Sequence, residues 1–251
     1  MPRSARIISN TGIYHVMLRG INRQQVFYDN EDYDCFLSKI KTYKEISHYQ
    51  IYAYCLMGNH VHILMKAEAE PLETIFRRIG SSYVYWYNMK YQRTGHLFQD
   101  RYRSEAVEDD EYFLTVLRYI LRNPVKAGMC SFPSEYEYSS FREYAGQEHG
   151  VTDTDFAIQL AGREKLLWFI NQENEDQCLE LSEKTKAGVT DSKALELIRN
   201  AFGKAFHYDA ETGEQDYMQL IPSIIADGVS IRQLSRLSGI PKSRIERALR
   251  Q

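Results

Sequence analysis

The period of the hydrophobic positions changes along this chain in a definite order. Residues 12–20, Gly-Ile-Tyr-His-Val-Met-Leu-Arg-Gly, are rich in β-branched and aromatic side chains and predict a strand that ends in the polar turn Arg19-Gly-Ile-Asn-Arg23. From Asp29 the spacing becomes helical: Tyr33, Phe36, Leu37, Ile40 and Tyr43 recur at i, i+3 and i+4, with Asp29 or Asn30 as the cap and an end near Ser47. Residues 49–57 predict a second strand, Gly58-Asn59 a tight turn of the reversed hairpin type, and residues 60–67 a third strand. Pro71 suits the first turn of a helix whose stripe Leu72, Ile75, Phe76, Ile79, Tyr83 and Trp86 runs to about Met89. Leu97 to Val107 predict a fourth strand. A third helix opens on Asp109, Asp110 and Glu111, buries Phe113, Leu117, Ile120 and Leu121, and ends at Pro124.

Strand, helix, strand, strand, helix, strand is the order of a split βαβ unit. The expected class is therefore α+β: a ferredoxin-like antiparallel sheet with helices on one face, then a third helix. Residues 147–154 have linker composition, and helical stripes follow at about 156–171, 192–202 and 215–226. This predicts a catalytic domain over 1–146, a linker over 147–154 and a helical domain over 155–251. Residues 229–250 resemble a helix-turn-helix, with Ile231, Leu234, Leu237, Ile240, Ile245 and Leu249 as its small core and Gly239 at the turn.

The net charge of −3 carries no overall nucleic-acid signature, and residues 1–150 hold 18 basic against 18 acidic residues. Gly228 to Gln251 differ: six basic residues and one acid leave +5 there. Lys242, Ser243, Arg244 and Arg247 would form the exposed face of the last helix, as a DNA reader or as a basic hairpin packed on the first domain. The basic lead carries Arg3 and Arg6. Four scattered cysteines contain no C-x-x-C pair, so neither a structural zinc site nor a disulfide framework is indicated. No apolar run approaches a membrane span and the N-terminus has no apolar h-region, so no membrane partner and a cytoplasmic location are expected.

The candidate chemistry starts at His60 and His62. Two residues apart in a strand, they point to one face, with Val61 and Ile63 on the other. A buried imidazole needs a partner, so the pair reads either as histidines hydrogen-bonded to backbone or as half of a divalent metal site. Between Lys90 and Arg103, Arg93, Arg101 and Arg103 interleave with Tyr91, His96, Phe98 and Tyr102. That composition suits single-stranded nucleic acid or an aromatic strand edge. Tyr119 and Asn123 stand one helical turn apart and project together.

Three segments, Met57-Gly-Asn-His-Val-His-Ile-Leu64, Arg93-Thr-Gly-His-Leu-Phe-Gln-Asp-Arg-Tyr102 and Tyr119-Ile-Leu-Arg-Asn-Pro-Val-Lys-Ala-Gly128, together resemble the single-tyrosine HUH transposases of the REP-associated branch. The Arg19–Arg23 turn and Tyr138-Ser-Ser-Phe-Arg-Glu-Tyr144 add to the likeness, which spans roughly residues 8–146. It implies metal-dependent cleavage and joining of single-stranded DNA through a 5′-phosphotyrosine, on palindromic elements that fold into hairpins. Carried over, His60, His62 and Asn123 hold Mg2+ or Mn2+ and Tyr119 is the nucleophile. Arg19, Asn22, Arg23, Arg93, Arg101, Arg103, Arg118 and Arg122 are expected on single-stranded or hairpin DNA, and the protein is expected as a monomer or homodimer. A replication initiator or relaxase would share the histidines and the tyrosine, but the Asn-Pro-Val-Lys-Ala-Gly context after Tyr119 argues against it. The remaining alternative is a domesticated DNA-binding regulator that keeps the fold with little catalysis.

Overall fold

A computed structural model of the chain describes residues 8–147, 150–176, 178–179, 191–203 and 218–249. The basic lead with Arg3 and Arg6, residues 148–149 of the expected linker and the start of the stripe at 215–226 lie outside these residues. The chain divides into two compact units, Met1–Glu180 and Leu181–Gln251.

In the first unit β1 (Ile13–Arg19), α1 (Asn30–Ser47), β2 (Gln50–Met57), β3 (His60–Lys66), α2 (Leu72–Lys90), β4 (Arg103–Ala106) and α3 (Asp110–Lys126) follow in order. The four strands form one sheet, β2-β3-β1-β4, with every pairing antiparallel. This is the expected α+β class with its split βαβ order.

Alternation decides which helix meets which face. Val16, Leu18, Leu56, Val61 and Ile63 turn to one side and pack with Phe36 and Ile40 of α1 and Ile75, Ile79 and Tyr83 of α2. Ile13, Cys55, Met57 and Leu64 turn to the other, where Phe113, Val116, Leu117 and Ile120 of α3 cover them. Both helices of the split unit thus share one face, and α3 crosses the opposite one.

Local chemistry sets the helix ends. Asp29 caps α1 by accepting from Asp32 N at 3.2 Å, and the fully buried Asp32 carboxylate accepts in return from Tyr28 N at 2.6 Å. Lys90 Nζ, at the end of α2, reaches the same carboxylate at 2.9 Å, so one buried ion pair ties the start of α1 to the end of α2. Asp109 caps α3 through Tyr112 N at 2.7 Å.

Five expectations are corrected. Pro124 lies inside α3 rather than ending it: the helix runs on to Lys126, and Ala127 N still donates to Asn123 O at 2.9 Å. Near a helix end a missing N–H removes only one bond. The Gly58-Asn59 turn joins β2 to β3, but neither residue has a positive φ, so it is not of the reversed type. Tertiary bonds set its shape instead, with Gly58 O accepting from Val26 N and Phe27 N, and Asn59 O from Gly20 N. The fourth strand is four residues long, preceded by an isolated bridge between Gly20 and Phe98.

The unit boundary also falls later than 147–154. Asp153 is fastened to β2, with Ile51 N donating to its carboxylate at 2.8 Å and Lys44 Nζ lying 2.7 Å from it. After the single turn α4 (Phe141–Tyr144), α5 (Asp155–Ala161) and α6 (Arg163–Asn171) bury Ala157, Leu166 and Ile170 in the α3 core. These two helices therefore belong to the first unit.

In the second unit α7 (Asp191–Phe202), α8 (Ile221–Ala226), α9 (Ile231–Ser238) and α10 (Lys242–Ala248) enclose Ala194, Ile198, Ile221, Leu234, Ile240 and Ile245. Ser230 caps α9 by accepting from Gln233 N at 3.2 Å, and Gly239 closes that helix with φ of 79°. Leu249, expected in the small core, is exposed because it follows the last residue of α10.

Candidate active site

The second face of the sheet changes character along its length. Around Leu64 and Ile13 it is apolar, whereas toward the β2–β3 turn the strands present His60, His62, His15, Arg19, Arg103 and Glu105. Antiparallel register brings them together: Arg19 faces His60, Met17 faces His62 and Arg103, and His15 faces Glu105. The helix that crosses this face supplies Tyr119 and Asn123 one turn apart, both buried.

Distances define one constellation. The His60 and His62 ring centres are 5.0 Å apart and nearly perpendicular. The Tyr119 ring lies 5.7 Å from His62 and 5.8 Å from His15, and Lys126 Nζ sits 5.3 Å from the tyrosine ring centre. Asn123 hydrogen-bonds His60. The four residues proposed from sequence, His60, His62, Tyr119 and Asn123, are therefore side by side although some sixty positions separate strand from helix. A cleft of about 470 Å³ opens beside Tyr119, lined by Arg122, Lys126, Glu173 and Glu175 among others.

Each imidazole is held by its Nδ1. Asn59 Oδ1 lies 2.6 Å from His60 Nδ1, while the Asn59 amide donates to Arg23 O at 3.3 Å. His62 Nδ1 is 2.9 Å from His15 Nε2. Burial holds the rings neutral: His60 is pushed down to about 4, chiefly by desolvation and then by the Arg19 charge. His15 falls to about 3 by desolvation, and His62 lies well below the usual range for the same reason, reinforced by His15 and His60. Neutral imidazoles keep a lone pair, as metal ligation requires.

Among the described residues no three His, Cys, Asp or Glu side chains cluster as a metal-binding group. The donor set is two imidazoles and one amide. That set fits a catalytic ion, since it leaves coordination positions open to water or phosphate, and nitrogen ligands admit Mn2+ as well as Mg2+.

Beside the histidines stand three guanidiniums. Arg19 is lowered by desolvation and by the charges of Arg23 and Arg103, and its Nε is buried without a hydrogen-bond partner. The turn that places Arg23 is unusual, because Asn22 and Arg23 have φ of 51° and 61°, a region ordinary side chains seldom enter. Gly20 makes this turn possible: a Cβ there would stand 2.2 Å from Gln24 O.

The other expected DNA residues are placed differently. Arg93 Nη2 donates to Gln24 at 3.2 Å, its guanidinium 5.5 Å from the Tyr87 ring centre, and Arg101 is half-exposed and 3.3 Å from Glu73. Arg118 is committed elsewhere, donating from Nε and Nη2 to Asp176 at 2.7 and 2.8 Å and stacking over Phe169. Arg122 donates to Asn171 O at 2.8 Å. These last two tie α3 to α6 and the segment after it, so neither is carried further as a phosphate ligand. Lys242, Ser243 and Arg247 lie exposed on α10, with Arg244 half-buried beside them. Sequence reasoning missed Asn59, His15 and Glu105. The strand alternation held a signal for His15, whose position shares the parity of Arg19.

Residues 9–123 match the family model for IS200-like transposases. The chain is also similar to REP-associated tyrosine transposases. A Haemophilus influenzae protein of that description is 29% identical over 118 residues, covering 42% of this chain and 66% of the relative, just under two thirds of its length. The fold matches that of a REP-associated tyrosine transposase bound to a REP hairpin, with a TM-score of 0.51 and 18% identity over 61% of this chain and 94% of that one.

The lowered histidines carry a pH consequence. Their folded pKa values lie below the unfolded value of about 6.5, so the unfolded chain binds more protons in the window between. Stability is full above about pH 6.5 and falls as the pH drops toward 4, by an amount on the order of several kcal/mol for three such groups. Urea midpoints at pH 7.5, 6 and 5 should decline in that order, and the decline should be smaller in a His15→Leu variant. A midpoint flat across that range contradicts the buried neutral histidines.

Proposed function

We propose that the first unit is a metal-dependent single-strand DNA endonuclease and strand transferase, with Tyr119 as nucleophile. The observation that carries this reading is the placement of Tyr119 and Asn123 against His60 and His62 on a face that also gathers Arg19, Arg23 and Arg103. Three cations that raise one another's energy are relieved by an anion, and a DNA phosphodiester is the anion that the likeness to transposases suggests.

His60, His62 and Asn123 would hold Mg2+ or Mn2+, which supplies Lewis-acid polarisation of a phosphate oxygen. Arg19, Arg23 and Arg103 orient the phosphate for in-line attack. The Tyr119 oxygen forms a bond to phosphorus as the bond to the 3′ oxygen breaks. The product is a 5′-phosphotyrosine and a strand ending in a 3′-hydroxyl, which takes up one proton. Lys126 near the ring favours the phenolate that attacks. A second 3′-hydroxyl reverses the step and joins strands, and one phosphodiester bond is exchanged for another throughout.

The DNA is proposed to be a single strand beside a REP-type palindromic hairpin. On the opposite face a cleft of about 340 Å³, lined by Phe76, Arg77, His96, Phe98 and Arg101 among others, combines rings and cations as single-strand binding requires. Asn22 and Arg93 are proposed to contact the same DNA strand. The second unit is proposed to grip duplex stem through Lys242, Ser243, Arg244 and Arg247 on α10.

Two measurements test these roles. With a labelled single-stranded hairpin and Mn2+, the wild type should form a protein–DNA adduct that survives denaturation. Tyr119→Phe should form none, and His60→Ala should lose at least about 100-fold in rate; equal cleavage by Tyr119→Phe sinks the mechanism. Replacing Lys242 and Arg247 by Ala should weaken hairpin affinity roughly tenfold and make the salt slope shallower by about 1 per lost phosphate contact. Unchanged affinity and slope remove α10 from the DNA.

A further inference from the structure

Asparagine is common in tight turns because it tolerates a positive φ, but Asn59 in the β2–β3 turn has none. Its side chain is engaged at both ends instead. Oδ1 lies 2.6 Å from His60 Nδ1, and Nδ2 donates to Arg23 O at 3.3 Å. Its backbone carbonyl accepts from Gly20 N at 2.9 Å. One residue therefore joins a candidate metal ligand to the turn after β1, where Asn22 and Arg23 have positive φ. Asn59 has no part in the mechanism above.

We propose that Asn59 is a positioning residue that fixes the tautomer of His60, with the Arg23 carbonyl setting the direction. A backbone carbonyl can only accept a hydrogen bond. The end of the Asn59 amide that faces Arg23 O is therefore its NH2 group, since the reverse placement would set two acceptor oxygens against each other. Oδ1 is then the atom beside His60. It too can only accept, so His60 Nδ1 is the donor across the 2.6 Å contact. A neutral His60 with its proton on Nδ1 keeps its lone pair on Nε2, the nitrogen left for a cation. Without an acceptor at Nδ1 the proton is free to sit on Nε2, where the ligand is needed.

Asn123, another hydrogen-bond partner of the ring, imposes no tautomer by itself, because a side-chain amide can present either end. Asn59 lacks that freedom while Nδ2 is bound to Arg23 O. That carbonyl is in turn held in place by its own loop. Arg23 N donates to Gly20 O at 3.1 Å, and Leu97 O accepts from Ile21 N at 2.9 Å and from Gln24 Nε2 at 3.1 Å. Partners that orient a metal-binding imidazole through its other nitrogen typically change metal affinity by roughly 10–100-fold. The inference rests on the reading of His60 as a metal ligand, although the tautomer itself is a property of the metal-free chain.

The test uses the full-length protein with ¹⁵N-labelled histidine imidazoles, the His60 signals being assigned by their loss in His60→Ala. In the metal-free wild type at pH 7.5, His60 should carry its proton on Nδ1. In Asn59→Ala, His60 should become a mixture of tautomers, and Mn2+ affinity measured by calorimetry should fall roughly 10–100-fold while circular dichroism shows the fold kept. Asn59→Asp, whose carboxylate can only accept, should keep the proton on Nδ1 and recover most of that affinity. A His60 proton on Nε2 in the wild type overturns the proposal, and so does Asn59→Asp with a tautomer mixture. A folded Asn59→Ala that binds Mn2+ within about twofold of wild type, while His60→Ala binds none, overturns it as well. If Asn59→Ala does not fold, the wild-type and Asn59→Asp spectra decide. If His60→Ala binds Mn2+ as well as wild type, the metal reading has failed, and the tautomer spectra alone decide the role of Asn59.

Discussion

The structure depends on covering the second face of its sheet with α3. That face is apolar at one end and polar at the other, and a single amphipathic helix has to satisfy both. Phe113, Val116, Leu117 and Ile120 meet the apolar end with Leu64 and Cys55. The continuing helix then brings Tyr119 and Asn123 over His60, His62 and His15. Hydrophobic burial along the first turns thus fixes the geometry of the chemistry along the last. Large-to-small changes in the α3 core would act on the site through register as well as on stability.

The same arrangement explains why the polar groups tolerate burial. Each imidazole has a partner, with Asn59 on His60 and His15 on His62. Desolvation keeps the rings neutral, which suits ligation and suppresses repulsion from Arg19, Arg23 and Arg103. The charges of Arg23 and Arg103 bear on Arg19. A face built with a strained turn at Asn22 and Arg23 and a buried unpaired Arg19 Nε is arranged for an anion.

Much of this was legible in the chain. Period changes located four strands and three helices in the right order, and two-residue spacing put His60 and His62 on one face. The misses share a cause. Pro124 inside α3, the unreversed Gly58-Asn59 turn and the attachment of α5 and α6 to the first unit are all set by tertiary contacts, which local propensity does not report. Arg118 and Arg122 looked like phosphate ligands because they flank Tyr119, yet Asp176 and Asn171, some fifty residues away, claim them. His15 and Glu105 escaped notice because only strand register makes them neighbours. The family resemblance identified the residues that would do the chemistry, and the fold supplied the ones that hold them.

Tyr119, one of the chain's 19 tyrosines, is proposed as the nucleophile that faces the histidine pair. Peptide mapping of the protein–DNA adduct by mass spectrometry tests it most directly. After nuclease and trypsin digestion, the account places a 5′-linked nucleotide on the peptide Tyr119-Ile-Leu-Arg122 and on no other. A nucleotide on any other tyrosine, or an adduct through a different residue, would contradict it.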